Sequence, residues 1–306
     1  MTIDRKTFIS NIALGGAGVL MGQSDGDTQN QPAFAIPDNF SITYLATRWG
    51  YPGTLDEFCA ASREAGYDGI EVWLPNNQGG QEELFDVTGQ YDLKVGLLVG
   101  SGSSTFDEHF ADFKKDLDRA VQLDPLFINC HSGRDFFPFE QNSQIIDYTI
   151  QVSDSAGIEV YHETHRSRIL FAAHIAKQFM EDIPGLRLTL DISHWCNVHE
   201  SLLDNQPEAV QLALQRTDHI HSRIGHPEGP QVTDPRAPEW KQTVEAHFAW
   251  WDRVVKQKID EGKSLTMTPE FGPPTYMPSV PYTGQPLGNQ WEINKHMMDL
   301  WKQRYS

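Results

Sequence analysis

The chain of 306 residues carries a formal net charge of −18 and three cysteines, Cys59, Cys130 and Cys196. That balance disfavours broad contact with nucleic acid or an anionic membrane surface, because phosphate binding needs clustered lysine and arginine. The dispersed cysteines exclude a disulfide framework and a clustered thiolate zinc site, and the length suits a single α/β barrel.

The first 35 residues read as an export address rather than as part of a fold. Arg5 and Lys6 precede a mostly apolar, glycine-rich run from Ile9 to Met21, then a polar stretch, then Ala33-Phe34-Ala35, a small-residue cleavage pattern. The segment DRKTFIS resembles a twin-arginine export signal, with Lys6 in place of the second arginine. The apolar run is too short to span a bilayer comfortably. The expectation is a mature protein that begins near Ile36, exported to the periplasm and free of the membrane once the signal is removed. The alternative is a frayed N-terminal helix of a cytosolic enzyme.

From Ile36 onward strand-like and helix-like segments alternate. Strands are predicted near 40–47, 68–74, 94–99, 126–131, 158–163, 186–191, 219–224 and 265–270. Amphipathic stretches lie between them, at residues 54–66, 105–123, 200–217 and 239–262, with apolar residues at helical spacing. Residues 291–305 supply a last helix. Eight β-then-α units without a central shift in composition predict one parallel (β/α)8 TIM barrel over residues 36–306. The Gly- and Pro-rich connections 225–240 and 271–288 follow strands and should lie over the catalytic face.

Strand alternation singles out four residues. Ile158 and Val160 share one face of strand 5, while Tyr161 and Glu163 share the other. Leu186, Leu188 and Leu190 alternate with Arg187, Thr189 and Asp191; Ile220 and Ile224 with His219, His221 and Arg223; Leu265 and Met267 with Thr266, Thr268 and Glu270. Glu163, Asp191, His221 and Glu270 thus point one way at four successive strand ends, where barrel active sites form. Acids crowded at one mouth repel each other, and a divalent cation relieves that repulsion.

On these residues the chain resembles the sugar phosphate isomerase/epimerase group of xylose isomerase-like barrels. The matching segments are GYDGIEVWL, HETHR, LDISHW with its D-x-x-H, HIHSRIGHPEGPQ and PEFG, which together cover most of residues 40–271. The resemblance implies that Glu163, Asp191, His221 and Glu270 bind one Mn²⁺, Co²⁺ or Mg²⁺ ion, with Zn²⁺ as a further candidate. It also implies that Glu163 and Glu270 handle substrate protons, Asp191 and His221 act only as ligands, and His194 reaches over the metal to a substrate oxygen.

Further substrate contacts are expected from Arg223 and His131, from Glu71 and Trp73 on strand 2, from Trp49 after strand 1, and from His165 and Arg166 beyond strand 5. His219, two residues deeper than His221, is expected in a core layer. The leading functional expectation is a metal-dependent isomerase or epimerase of a small sugar or keto-sugar, working by proton abstraction beside a carbonyl through an enediolate. Alternatives are a lyase that eliminates a glycosidic oxygen from a keto-sugar and a non-catalytic sugar-binding barrel. The related endonuclease fold is disfavoured by the acidic balance and by what reads as too few inward His and acidic residues for a trinuclear zinc site. A homo-oligomer is compatible with all of these.

Overall fold

Eight parallel strands alternate with helices and close into a barrel in sequence order, as the alternating pattern predicts. This computed structural model describes Pro32 and residues 34–305. The expected export segment, residues 1–35, therefore lies outside the described residues except for Pro32, Phe34 and Ala35. The strands are β1 (Ile42–Thr47), β2 (Gly69–Trp73), β3 (Lys94–Gly100), β4 (Phe127–His131), β5 (Val160–Glu163), β6 (Leu188–Leu190), β7 (Thr217–His221) and β8 (Leu265–Thr268). The helices are α1 (Leu55–Ala65), α2 (Gln78–Gln90), α3 (Phe106–Val121), α4 (Phe139–Ala156), α5 (Ala173–Asp182), α6 (Ile192–Val198), α7 (Pro207–Arg216), α8 (Lys241–Glu261) and α9 (Gln290–Tyr305). Among the described residues no helix is long and apolar enough to cross a membrane.

Local chemistry explains most boundaries. Thr54 and Glu57 form a reciprocal capping box on α1, with Glu57 N donating to Thr54 Oγ1 at 3.2 Å and Thr54 N donating to Glu57 Oε2 at 2.7 Å. Gly66, at φ +87°, ends the same helix in the left-handed conformation that glycine adopts without strain. Two boundaries differ from expectation. β6 stops at Leu190 because Asp191 leaves the sheet to cap α6, its Oδ1 accepting from Ser193 N at 3.1 Å. The helix expected from Glu200 begins only at Pro207, where proline suits a first helical turn.

The main core lies between sheet and helices, where Ile70, Leu97, Ile128, Leu188, Leu190, Ile220 and Met267 pack against residues such as Phe58, Phe113, Phe179 and Trp251. Inside the barrel, Leu45, Phe127 and Tyr161 form a separate apolar plug. Gly96 makes room for it, since a Cβ there would approach the Phe127 ring to 2.7 Å. Above the plug the interior turns polar, with buried Glu71, Asn129, Thr189, His219 and Thr268 in place of branched aliphatics. This polar layer is the base of the site.

Candidate active site

The four residues picked out by strand phase meet at the C-terminal mouth. β5 ends on Glu163, the cap of α6 is Asp191, β7 ends on His221, and Glu270 follows β8 by two residues. One donor atom from each lies within 4.8 Å of the others. His221 Nδ1 is 3.1 Å from Glu270 Oε2 and 3.6 Å from Glu163 Oε1. Ligand bonds of about 2.1 Å in an octahedral shell would set neighbouring donors roughly 3 Å apart. Glu163 Oε1 and His221 Nδ1 are buried without a hydrogen-bond partner among the described residues, although buried polar atoms are normally paired. The donor chemistry and the two orphaned atoms fit a hard or borderline divalent cation.

The layer below orients the ring of His221. Glu71 accepts from His221 Nε2 at 3.0 and 3.1 Å, which directs Nδ1 at the carboxylates of the mouth. Asn129 Nδ2 donates to Glu71 Oε1 at 3.2 Å and to Glu163 Oε2 at 3.3 Å. His219 completes the layer, 3.3 Å from Glu71 and 2.7 Å from Thr266 Oγ1, with its ring on Phe127. His219 therefore occupies the core layer, as expected. Glu71 departs from expectation: its carboxylate is engaged by His219 and His221 below the cavity, so it supports the site instead of lining it.

Arg223 enters the acid cluster from the side. Its Nη2 bonds Asp191 Oδ2 and donates to His194 Nε2 at 2.7 Å, and its Nη1 lies 3.6 Å from Glu270 Oε2. His194 is fully buried, with its ring 4.0 Å from that of His165. α6 starts directly after Asp191 and carries His194, whose Nε2 lies 3.7 Å from Asp191 Oδ2.

A cavity of about 230 Å³ opens above the cluster, lined by Trp49, Trp73, Leu98, His131, His165, Arg168, Arg223, Glu270 and Tyr276. His131 Nε2 pairs with Glu163 Oε2, and its ring meets Trp73 edge-on at 5.1 Å. Trp49 meets Tyr276 edge-on at 4.8 Å, and Tyr276 is flanked by the guanidinium groups of Arg166 at 4.7 Å and Arg223 at 4.8 Å. Two side-chain amides fix the backbone after Glu270. Asn294 holds N and O of Phe271 at 2.8 and 3.1 Å, and Gln231 holds N and O of Gly272 at 2.7 and 3.3 Å. Gly272 has to be glycine here, because a Cβ would collide with the Trp49 ring.

Solved structures of low sequence identity share this architecture. The 3-keto-D-glucoside 4-epimerase YcjR from E. coli superposes with a TM-score of 0.57 at 14% identity, over 86% of this chain and 100% of that one. A D-allulose 3-epimerase from Methylomonas sp. gives 0.53 at 18% identity, over 89% and 100%. A xylose isomerase-like TIM barrel protein from Mycobacterium smegmatis in complex with magnesium gives 0.54 at 13% identity, over 86% and 98%. The fold is that of the xylose isomerase-like TIM barrels. Neither a protein-family model nor a curated protein matches the sequence.

Within this xylose isomerase-like barrel, burial and charge pull the site's proton affinities apart. Burial would raise the Glu163 carboxyl, but His131 and His221 outweigh it and hold the group well below the usual carboxylate range. Asp191 is pushed up to about 6, by burial first and then by Glu163 and Glu270, against the pull of Arg223. Burial would lower His221, yet Glu270, Glu71 and Glu163 together keep its proton bound well above the ordinary imidazole range. His165 is lowered to about 3 by burial, with His131 and Arg223 adding.

The mouth also holds more imidazoles than strand alternation suggests. Donor atoms of Glu163, His165 and His194 lie within 4.8 Å of one another, as do those of Glu71, His219 and His221. Both groups share a member, Glu163 or His221, with the four-residue cluster. His165 and His194 lie beyond the strand ends, where alternation assigns no face.

Proposed function

We propose that the chain is a divalent-metal-dependent isomerase or epimerase of a sugar or related polyhydroxy carbonyl compound. The observation that carries this reading is the convergence of Glu163, Asp191, His221 and Glu270, with Glu163 Oε1 and His221 Nδ1 buried and making no well-formed hydrogen bond among the described residues. A divalent cation held there would polarise a substrate carbonyl and a neighbouring hydroxyl and so acidify the intervening C–H. Glu270 lines the cavity, and Glu163, kept ionised by His131 and His221, is a carboxylate available to take a proton. Delivery of a different proton to the opposite face by the other glutamate, itself protonated, gives epimerisation, and delivery of a proton to the neighbouring carbon gives aldose–ketose exchange. Glu71 and Asn129 hold His221 and Glu163 in place. Trp49 and Trp73 offer flat apolar surfaces to sugar C–H faces. The fold neighbours named as a 3-keto-glucoside epimerase and an allulose epimerase support the reading. The net charge of −18 weighs against a nucleic-acid substrate.

The test is solvent exchange. Purified protein is assayed for bound metal, stripped with chelator, reloaded with Mn²⁺, Co²⁺ or Mg²⁺, and incubated in deuterated water with a panel of ketoses and 3-keto-glucosides. Metal-dependent deuterium at the carbon beside the carbonyl, seen by NMR, is expected. Release of an alcohol from the keto-glucosides would assign the lyase alternative. No divalent metal bound at any concentration would leave a non-catalytic sugar-binding barrel.

A further inference from the structure

Six arginines, Arg63, Arg119, Arg187, Arg223, Arg236 and Arg304, each contact a carboxylate. Arg48, Arg134, Arg166, Arg168, Arg216 and Arg253 have no such contact among the described residues, and three of these, Arg134, Arg166 and Arg168, stand at the rim of the mouth. Arg134 donates to the carbonyls of Gly102 and Ser103 at 2.6 and 3.4 Å, Arg166 to Asn197 Oδ1 at 3.4 Å, and Arg168 to the carbonyl of Ser101 at 3.3 Å. None of the three has a carboxylate at ion-pair distance among the described residues.

Arg168 is the one that lines the cavity, beside Trp73, His131 and His165. Its guanidinium is half-buried, and its Nε is buried with no hydrogen-bond partner. Burial first, and then the nearby Arg134, disfavour its charge, and Glu163 and Asp135 only partly oppose them. A desolvated cation without a counter-ion is costly, and an anion placed in the cavity would offset that cost.

The surroundings favour one kind of anion. Phosphate esters are commonly gripped by backbone amides at helix N-termini or glycine-rich loops. Here the adjacent Ser101–Ser103 backbone turns carbonyls toward the arginines, and the other two charged groups of the wall, Arg223 and Glu270, lie 3.6 Å from each other. A single planar guanidinium matches a carboxylate. The volume of about 230 Å³ falls below the range of roughly 300–1,000 Å³ typical of drug-sized ligands, so it suits one sugar ring.

We propose that the substrate is a monosaccharide acid whose carboxylate is bound by Arg168, with its carbonyl end over Glu163 and Glu270. This rests on the reading of the site as sugar-binding, and the test measures binding so that it stands apart from catalysis. Quenching of tryptophan fluorescence, with Trp49 and Trp73 in the wall, is titrated with D-glucuronate and D-galacturonate, with the neutral hexoses D-glucose and D-galactose, and with D-glucose 6-phosphate. Mg²⁺-loaded and chelator-treated protein are compared. The uronates should bind at least about tenfold more tightly than the neutral sugars, a preference that weakens with added salt. R168Q should abolish the preference, and R168K should keep part of it through charge alone. Equal affinity for uronate and hexose, tighter binding of the 6-phosphate, or an unchanged ratio in R168Q would each overturn the proposal. Should R168Q fail to fold, the ratio in the parent protein and in R168K decides. Loss of metal dependence with the uronate preference intact would count against the isomerase reading alone.

Discussion

The two ends of the barrel both bury charge, and they do so in opposite ways. At the N-terminal end, Asp218 accepts from Arg187 and from Lys258 Nζ at 2.5 Å, and Lys258 also lies 3.6 Å from Glu261. Each charge there meets a partner within the chain, and Asp218 is held below the ordinary carboxylate range although burial pushes the other way. At the C-terminal end, Glu71, Glu163, Asp191 and Glu270 crowd around His221 and Arg223, and buried donor atoms are left without partners. Buried charge that is fully paired serves the fold. Buried charge in excess of its partners marks a place completed by something outside the chain.

The largest effect expected from this contrast is on turnover. E163Q and E270Q should each slow the solvent exchange described above by about 10²–10⁴, the usual contribution of a positioned base, while leaving thermal unfolding close to the parent's. Full activity in either would remove that glutamate from the proton-transfer pair. Asp191→Asn should weaken metal affinity by at least the 10–100-fold that loss of an outer partner typically produces; equilibrium dialysis against Mn²⁺ measures it. Asp218→Ala should do the reverse: it leaves buried Lys258 with only Glu261 at 3.6 Å and costs about 3 kcal/mol in denaturant unfolding, with metal affinity unchanged. A mutation at Asp218 that altered metal binding and spared stability would break the distinction between the two ends.

The barrel and the inward phase of Glu163, Asp191, His221 and Glu270 were legible because strand alternation is a local property of the chain. What surrounds them was not. Gln231, Asn294, Tyr276 and Arg168 lie in connections or on the last helix, where no period assigns a face, and they reach the mouth only after the barrel closes. Asn129 was in plain sight on β4, two residues before His131 and in the same phase, but an amide gives no charge signal. Glu71 was correctly read as inward, yet only the register of β2 against its neighbours shows that it lies a layer below the cavity, facing His219 and His221. Asp191 reads as a strand end by alternation, whereas its carboxylate also caps a helix.

Gly272→Ala tests the wall of the mouth and should have a smaller effect. The added methyl displaces Trp49 and strains the backbone held by Gln231, costing about 1–3 kcal/mol as overpacking does and weakening sugar binding by fluorescence titration. An unchanged melting temperature together with unchanged binding would show that Trp49 moves freely.

The smallest effect is a pH dependence that extends the contrast to a neutral side chain. His247 on α8 is fully buried; its Nδ1 bonds the Thr243 carbonyl at 2.8 Å, and its Nε2 accepts from Gly225 N at 3.2 Å, holding the connection that carries Arg223. Burial lowers it from 6.5 to about 4, with the Thr243 carbonyl opposing. The unfolded chain therefore binds a proton below about 6.5 that the folded chain refuses until about 4. Its contribution is fully present above pH 6.5, is lost progressively as pH falls between those values, and levels off below about 4. His247→Gln can keep one of the two hydrogen bonds but cannot titrate, so the slope of unfolding free energy against pH should flatten within that window. Since His247 is paired on both sides, metal affinity at neutral pH should stay as in the parent. A change in metal affinity without a change in slope would place His247 with the unpaired groups of the mouth, and the division between structural and ligand-seeking buried groups would fail at its boundary.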